Sequence, residues 1–189
     1  MTTLAKSKCT PEALLTMPDG DAYELAGGEL VERQMGFRSS RVGGRLFRLL
    51  DVHCDREQLG WVLPSDAGYQ CFPDDPRKVR KPDVSFIRAD RLSARDEPEG
   101  WATIAPDLVV EVISPNELFE AVAIKVDEYL MAGVPLVWVI DTATQKVYVY
   151  RHEDRGEILT ASDELSGEDI VHGFRCRVAD LFAPPAGVT

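Results

Sequence analysis

The sequence predicts an α/β domain in which a strand–helix–strand crossover lies at the centre and antiparallel hairpins surround it. Residues 106–114 are the most hydrophobic stretch of the chain and are rich in β-branched residues, which is typical of a buried strand. An amphipathic segment from Glu117 to Met131 and a second apolar run over 135–141 follow it. Parallel strands need such a helical connection, so this order of elements favours a crossover.

The N-terminal third is predicted to contain a short helix, a hairpin and a long helix. After a loose start, Thr10-Pro11-Glu12 has the residue types of a helix N-cap and first turn. Ala26-Gly27-Gly28 lies between two short strand-like runs, which indicates a hairpin. Residues 38–57 have helical periodicity, so a long helix is expected there. One face of that helix carries Arg41, Arg45 and Arg48.

Shorter strands are predicted on either side of the crossover. Residues 61–72 are expected to form one or two strands with a turn, and residues 82–87 another. Beyond the crossover, a short turn joins the 135–141 strand to a strand over 146–150. Because no repeat or linker interrupts the pattern, we predict a single domain over 1–189.

The composition is that of an ordinary globular protein. Of the 189 residues, 44% are hydrophobic and 28% are charged. No apolar run approaches the ~20 residues of a membrane helix. The first eight residues lack the apolar core of a secretory signal, so a cytoplasmic protein without membrane contact is expected. The four cysteines form no C-x-x-C pair, which favours reduced thiols over a zinc site or a disulfide framework.

The charge is negative overall but unevenly distributed. The net charge of −11 argues against a simple nucleic-acid coating protein, which would usually be basic. Residues 33–50 nevertheless carry five arginines and no acid, and residues 77–81 add four more cations. Local positive patches of this kind are compatible with phosphate binding, and solvated helix or loop faces are the alternative.

Three ionisable residues stand where apolar ones are expected. Asp83 begins one predicted strand, Glu111 interrupts the next, and Lys125 lies on the helix that follows. At about 100° per residue, Lys125 projects about 20° outside the apolar stripe of Leu118, Val122 and Tyr129, so its ammonium is expected to point towards the strand of Glu111. A lysine that snorkels past the edge of the core is the alternative.

A carboxylate inside a buried strand needs a partner, because its burial alone costs several kcal/mol. Asp83 and Glu111 on neighbouring strands could bind Mg²⁺, with waters and a phosphate oxygen completing the coordination shell. The metal would activate a water, and Lys125 could orient that water or stabilise developing negative charge. A plain Glu111–Lys125 ion pair is the structural alternative.

These residues and their surroundings resemble a known family. Pro82-Asp83, Glu111 in Pro-Asp-Leu-Val-Val-Glu-Val-Ile-Ser-Pro, Lys125 and Tyr129-Leu-Met-Ala-Gly-Val together look like the PD-(D/E)XK nuclease superfamily. More narrowly, they resemble the Uma-type putative restriction endonuclease family. Tyr23-Glu-Leu and Val137-Trp-Val-Ile-Asp141 also fit that family's pattern, and the resemblance covers about residues 20–182.

The resemblance implies a restriction-endonuclease-like core, with a mixed central sheet of about five strands flanked by helices and with additional hairpins. It implies a Mg²⁺-dependent endonuclease acting on DNA, with Mn²⁺ as a possible substitute. Asp83 and Glu111 match the family's metal-binding acids. The superfamily's lysine usually lies two residues after the acid, where this chain has Ile113, so Lys125 would take its role from the helix.

Three further expectations accompany the resemblance. Glu29 matches the family's N-terminal acid and is expected to complete the metal site, an exposed hairpin residue being the alternative. The arginines of the long helix, Arg41, Arg45 and Arg48, are expected to contact DNA phosphates. Cutting both strands of a duplex would suit a twofold homodimer.

The chain departs from the family's pattern at two places. Ser39-Ser40 stands where members often carry a histidine, and Ala121 stands four residues before the lysine, where many have an acid. These departures are expected to weaken the phosphate-facing chemistry. The competing hypothesis is a catalytically silent member of the same fold that binds nucleic acid or a protein partner.

Overall fold

The N-terminal part consists of a short helix, a hairpin and a long helix, as the sequence predicts. The computed structural model describes residues 9–34, 36–115, 117–152, 154–185 and 187–188. The loose start predicted before Thr10 therefore lies outside the described residues. The elements in chain order are α1 (Pro11–Thr16), a 3-10 turn (Gly20–Ala22), β1 (Tyr23–Ala26), β2 (Glu29–Glu32) and α2 (Phe37–Glu57).

The β1–β2 hairpin turns through Gly27 and Gly28, which have φ of 60° and 82°. Two consecutive positive φ angles match the twist of a two-residue hairpin and favour glycine at both positions. The outer edge of β1 bonds to a second segment, because Leu25 and Val79 exchange backbone hydrogen bonds of 2.9 and 2.8 Å. One step further along this antiparallel bridge, Arg80 lies beside Glu24.

A six-stranded mixed sheet forms the centre of the protein, one strand more than the approximate number predicted. Its strands lie side by side in chain order: β3 (Gly60–Pro64), β4 (Val84–Arg88), β5 (Leu108–Ile113), β6 (Leu136–Asp141), β7 (Lys146–Arg151) and β8 (Asp154–Leu159). Only the β5–β6 pair is parallel within this sheet, and the other pairs are antiparallel. The additional strand is β8, which pairs with β7 at the end of the sheet.

Helix α3 (Phe119–Met131) makes the crossover between β5 and β6. It begins two residues after the predicted start, and Leu118 precedes it in an extended conformation, with φ −77° and ψ 134°. Leu118 is therefore 71% exposed, and its predicted place in the apolar stripe is wrong. Val122 and Tyr129 are buried, as predicted, because they lie inside the helix.

The sheet is covered on both faces. One face packs against α2 and against the C-terminal elements β9 (Glu164–Ser166), β10 (Arg175–Arg177) and α4 (Val178–Phe182). The other face packs against α3. Residues alternate along β5, so Val110 and Val112 face α2 whereas Val109 faces α3. Glu111 shares the face of Val109 and is thereby directed at α3.

The four cysteines are free thiols. Within the described residues, no helix is both long enough and apolar enough to span a bilayer.

Candidate active site

Asp83 and Glu111 are neighbours at the end of two adjacent strands. Val84 pairs with Val110 in the antiparallel β4–β5 ladder, so the next step of the register sets Asp83 beside Glu111. Oδ2 of Asp83 accepts a hydrogen bond of 2.7 Å from the backbone N–H of Val112. Glu111 is 4% exposed, whereas the side chain of Asp83 is 34% exposed. One carboxylate is therefore fully buried and the other is partly buried.

Lys125 reaches this pair from α3. Its Nζ lies 3.3 Å from Oε2 of Glu111 and 3.5 Å from Oε1 of Glu117. Its side chain is 14% exposed, so the ammonium points at the strand of Glu111 rather than past the edge of the core. Lys125 and Glu111 are thus in contact, and Asp83 lies close enough for its charge to act on Glu111 and for Lys125 to act on it.

Tyr129 is a fourth member of the site. Its hydroxyl donates a hydrogen bond of 2.8 Å to Oε1 of Glu111, and its ring is fully buried. The sequence predicts Tyr129 as part of the apolar stripe and of a family block, without a polar partner. Its position one helical turn after Lys125, on the same face, is the signal that could have identified it as a partner of Glu111.

Glu24 is the N-terminal acid that reaches Lys125. It is 1% exposed on β1, and its Oε2 lies 3.5 Å from Nζ of Lys125. Glu29, which the sequence predicts to complete the metal site or its surroundings, is exposed on β2. The reason is the pairing of β1 with residue 79, which turns Glu24 inwards between the hairpin and α3. A charged residue between Tyr23 and Leu25 in a short strand was the available sequence signal.

Three of the four cations of residues 77–81 lie in the interior of the protein rather than on a phosphate-binding surface. Lys78, Arg80 and Lys81 are buried. Nη1 of Arg80 lies 2.9 Å from Glu24 and its Nε 2.8 Å from Glu128. The expectation of an exposed positive patch, or of a solvated face, is therefore wrong for these three residues. Buried acids need buried counter-ions, and this segment supplies them.

Two hollows open onto the site, one on each side of Arg33 and Gln34. The larger one, of about 350 Å³, is lined by Glu24, Glu117 and Lys125 among others. The smaller one, of about 170 Å³, reaches Asp83. Nη2 of Arg33 lies 3.9 Å from Oδ1 of Asp83. The surface therefore opens onto Asp83 through one hollow and onto Lys125 through the other, whereas Glu111 lines neither.

Comparison with known proteins identifies the family. Residues 11–179 match the family Uma2, described as putative restriction endonuclease. The chain belongs to the Uma2 family. The comparison with curated proteins gives no match.

A solved structure similar to this Uma2 chain confirms the fold. It is the crystal structure of a putative nuclease belonging to DUF820 from Anabaena variabilis ATCC 29413. The two chains share 21% sequence identity with a TM-score of 0.77, over 92% of this chain and 97% of that one. The α/β class and the mixed central sheet flanked by helices, expected from the sequence, are thus confirmed.

The electrostatics of the Uma2 site favour an additional cation. The pKa of Glu111 is raised to about 7, mainly by burial; the charge of Lys125 opposes this rise, whereas the neighbouring charges of Glu24 and Asp83 add to it. Burial also raises the pKa of Asp83 above its ordinary value. Burial by itself lowers the pKa of Lys125, but the surrounding carboxylates outweigh it and the pKa is raised. One ammonium thus faces several acids.

The donor chemistry fits a hard divalent cation that keeps part of its water shell. Asp83 and Glu111 offer carboxylate oxygens from adjacent strands, and Mg²⁺ is commonly held by one or two carboxylates together with waters and substrate phosphate. Over the described part of the chain, no group of three or more His, Cys, Asp or Glu residues is arranged to hold a metal ion alone. A divalent cation at this site would therefore need water or another molecule to supply its remaining ligands.

The structure shows the surroundings of both departures from the family's pattern. Ser39 is buried, and its hydroxyl lies 3.0 Å from that of Ser114. Ala121 lines the larger hollow, and Glu117, in the segment before α3, supplies a carboxylate to Lys125. The lysine is thus held by acids on both sides despite the alanine.

The arginines of α2 lie away from the acid site. At about 100° per residue, Arg41, Arg45 and Arg48 lie roughly 140–160° around the helix from Gly43, which faces Asp83. Arg41 and Arg45 donate hydrogen bonds of 2.8 and 2.9 Å to the carbonyl of Ala183. With Arg48 they line a groove of about 610 Å³, which we call the arginine groove: Arg41, Arg45, Arg48, Leu49, Val52, Pro184 and Pro185. The structure does not bring these arginines to the carboxylates.

Proposed function

We propose that this Uma2 protein is a divalent-metal-dependent endonuclease that hydrolyses phosphodiester bonds in DNA. The observation that carries the proposal is the convergence of Asp83, Glu111 and Lys125, with Nζ of Lys125 3.3 Å from Glu111. Membership in a family of putative restriction endonucleases supports it.

Each residue has a defined task in this proposal. Asp83 and Glu111 hold Mg²⁺, for which Mn²⁺ can substitute. When bound, the metal supplies a water of lowered pKa and stabilises charge on the phosphate. Lys125 donates hydrogen bonds into the site, where it orients the attacking water or stabilises the charge that develops on the phosphoryl oxygens. Tyr129 holds Oε1 of Glu111 and so sets the orientation of that carboxylate.

The test is a cleavage assay on supercoiled plasmid, with single-stranded DNA and RNA as alternative substrates. We expect nicking with Mg²⁺ or Mn²⁺ and none in EDTA. Lys125→Ala should lower the rate by about 10²-fold or more, because a charge-stabilising donor is lost. Lys146→Ala, which removes a lysine on β7, is the matched control and should leave the rate unchanged. Cleavage in EDTA, or equal rates for wild type and Lys125→Ala, would show that the proposal is wrong.

DNA contact by the arginine groove belongs to the same proposal. The groove cannot touch the phosphate being cut, but it can bind phosphates elsewhere on a bound duplex. Arg48 is the suitable residue to change, because Arg41 and Arg45 also hold the C-terminal segment. Arg48→Ala should weaken binding and lower the slope of log K against log salt by about 1, without a change in kcat. Arg95→Ala, at an exposed loop arginine, is the control, and an unchanged slope would remove the groove from the DNA interface.

A twofold homodimer also stays a proposal, since two such sites could act on the two strands of a duplex. Light scattering with and without DNA decides it, and a monomer under both conditions would exclude it.

A second candidate is a catalytically silent member of the fold. The engagement of the carboxylates by protein donors favours it, because Glu111 already has Tyr129 on one oxygen and Lys125 on the other. Calorimetric titration with Mn²⁺ discriminates the two candidates. Binding that is lost in Asp83→Asn supports the nuclease, whereas no binding to wild type, with or without DNA, supports the silent protein.

A further inference from the structure

Glu24 is held by donors on both of its oxygens. Its Oε1 accepts a hydrogen bond of 2.9 Å from the backbone N–H of Lys81. Its Oε2 lies 2.9 Å from Nη1 of Arg80 and 3.5 Å from Nζ of Lys125. Burial by itself raises the pKa of Glu24, but the charges of Lys125 and Arg80 outweigh it and the pKa is lowered. Glu24 is therefore an ionised carboxylate in a fixed position.

Arg80 explains why Glu24 can stay ionised in the interior. The guanidinium is buried and bridges Glu24 on β1 to Glu128 on α3 through bonds of 2.9 and 2.8 Å. Its planar fork with several donors suits two carboxylates at once. One oxygen of the Glu24 carboxylate is thus bonded to the backbone and the other to Arg80. The oxygen bonded to Arg80 also faces Lys125.

Lys125 needs such a fixed partner. A lysine ammonium is a point charge on a flexible four-carbon stem, so its position depends on the groups around it. Glu111 and Glu117 also lie near Nζ, but Glu111 is itself required at the metal, and Glu117 lies in the segment before α3 and has a more exposed side chain than Glu24. Glu24 is the buried partner that has no other task in the reaction.

We propose that Glu24, anchored by Arg80 and the backbone of Lys81, is the positioning residue that fixes the ammonium of Lys125 in the site, and that it is not a metal ligand. This inference rests on the proposed function for its effect on rate, but its effect on Lys125 is independent of activity. Fixing a reacting group in its working geometry contributes to rate without any contact with substrate.

The variants are Glu24→Gln and, as a matched control, Glu128→Gln. Both remove the charge of a buried glutamate that pairs with Arg80, so both carry a similar cost to folding. Glu24 contacts Lys125, whereas Glu128 binds Arg80 and Lys78. Any difference between the two variants therefore reports the contact with the lysine. Asp83→Asn serves as the reference for a lost metal ligand.

Three measurements are made on each full-length protein. Single-turnover cleavage of plasmid should show a fall of about 10- to 100-fold in rate for Glu24→Gln and little change for Glu128→Gln. Calorimetry should show Mn²⁺ affinity unchanged in Glu24→Gln and lost in Asp83→Asn. The third measurement is an NMR spectrum of protein labelled with ¹⁵N-lysine, in which the ammonium signal of Lys125 is assigned by its absence in Lys125→Ala. This signal should be present in wild type and Glu128→Gln. It should be broadened or lost in Glu24→Gln.

These measurements distinguish a positioning role of Glu24 from a role as metal ligand. Loss of Mn²⁺ affinity in Glu24→Gln, to the extent seen in Asp83→Asn, would make Glu24 a ligand and overturn the inference. An unchanged cleavage rate or an unchanged ammonium signal in Glu24→Gln would overturn it as well. If wild type itself does not cleave, the proposed function fails, and the ammonium signal alone then decides whether Glu24 fixes Lys125.

Discussion

Glu111→Gln is expected to abolish metal-dependent cleavage while leaving the protein folded. The neutral amide removes the charge that faces Lys125 and that, in the proposed function, would hold the metal, so a loss of at least about 10²- to 10³-fold in kcat is expected. The side chain keeps its shape, and its amide oxygen can still accept the hydrogen bond from Tyr129. The assay is plasmid cleavage in Mg²⁺ and in Mn²⁺, with folding checked by circular dichroism.

The control for this variant is Glu99→Gln, which makes the same change at an exposed loop residue and should retain full activity. Equal cleavage by wild type and Glu111→Gln would point to a contaminating nuclease and remove Glu111 from the mechanism.

The same variant should alter the pH dependence of stability in EDTA. Burial raises the pKa of Glu111 from 4.5 to about 7, so the folded protein holds a proton that the unfolded chain releases between these values. The free energy of unfolding of wild type therefore loses a contribution as pH rises from about 4.5 to about 7. Glu111→Gln does not titrate, so relative to wild type it should gain stability over this window.

Urea unfolding at pH 5, 6, 7 and 8 measures this difference. Asp83, whose pKa is also raised, and Glu24, whose pKa is lowered, are present in both proteins, so the comparison reports the titration of Glu111 together with its charge interactions with these two acids. The difference in unfolding free energy should change in favour of the variant as pH rises. A constant difference, or a change in favour of wild type, would contradict the raised pKa of Glu111.

Arg80→Met should destabilise the protein by about 3–5 kcal/mol, the cost of breaking a buried ion pair by removing one partner. Arg80 is buried between Glu24 and Glu128, and an apolar side chain removes one counter-charge from each of these carboxylates. The free energy of unfolding from urea titration at neutral pH measures the loss.

Arg56→Met provides the comparison, because Arg56 pairs with Glu57 at the surface. Exposed pairs contribute about 0–1 kcal/mol, so this variant should be near wild type. Adding Glu128→Gln to Arg80→Met should recover part of the loss, since one unpaired charge is removed. Equal stability of the Arg80 and Arg56 variants would mean that the network contributes nothing to the fold.

The structure was predictable from the sequence where the residues of a single element are sufficient to indicate it. The strands over 108–113 and 136–141 and the helix between them were predictable because apolar periodicity is a local property of the chain. Asp83, Glu111 and Lys125 stood out for the same reason, as charges inside apolar elements. Family membership followed from the same blocks and is confirmed by the match over residues 11–179.

Sequence reasoning failed where the outcome depended on which distant segments pair. Glu24 and Arg80 are 56 residues apart, and nothing local to either one indicates that they meet. The hairpin offered two acids, Glu24 and Glu29, and only the bridge from Leu25 to Val79 turned the first one inwards. The cluster of cations at 77–81 looked like a surface patch for the same reason, since its partners are on other elements.

The sequence by itself determined the α/β crossover, the family and the three ionisable residues at its centre, because each is encoded in the order and periodicity of neighbouring residues. The tertiary structure alone decided which acid accompanies Lys125, that Tyr129 holds Glu111, and that the arginines of α2 face away from the carboxylates. The physical reason is that burial of a charge is offset by its partners, and those partners are selected by the packing of the whole chain.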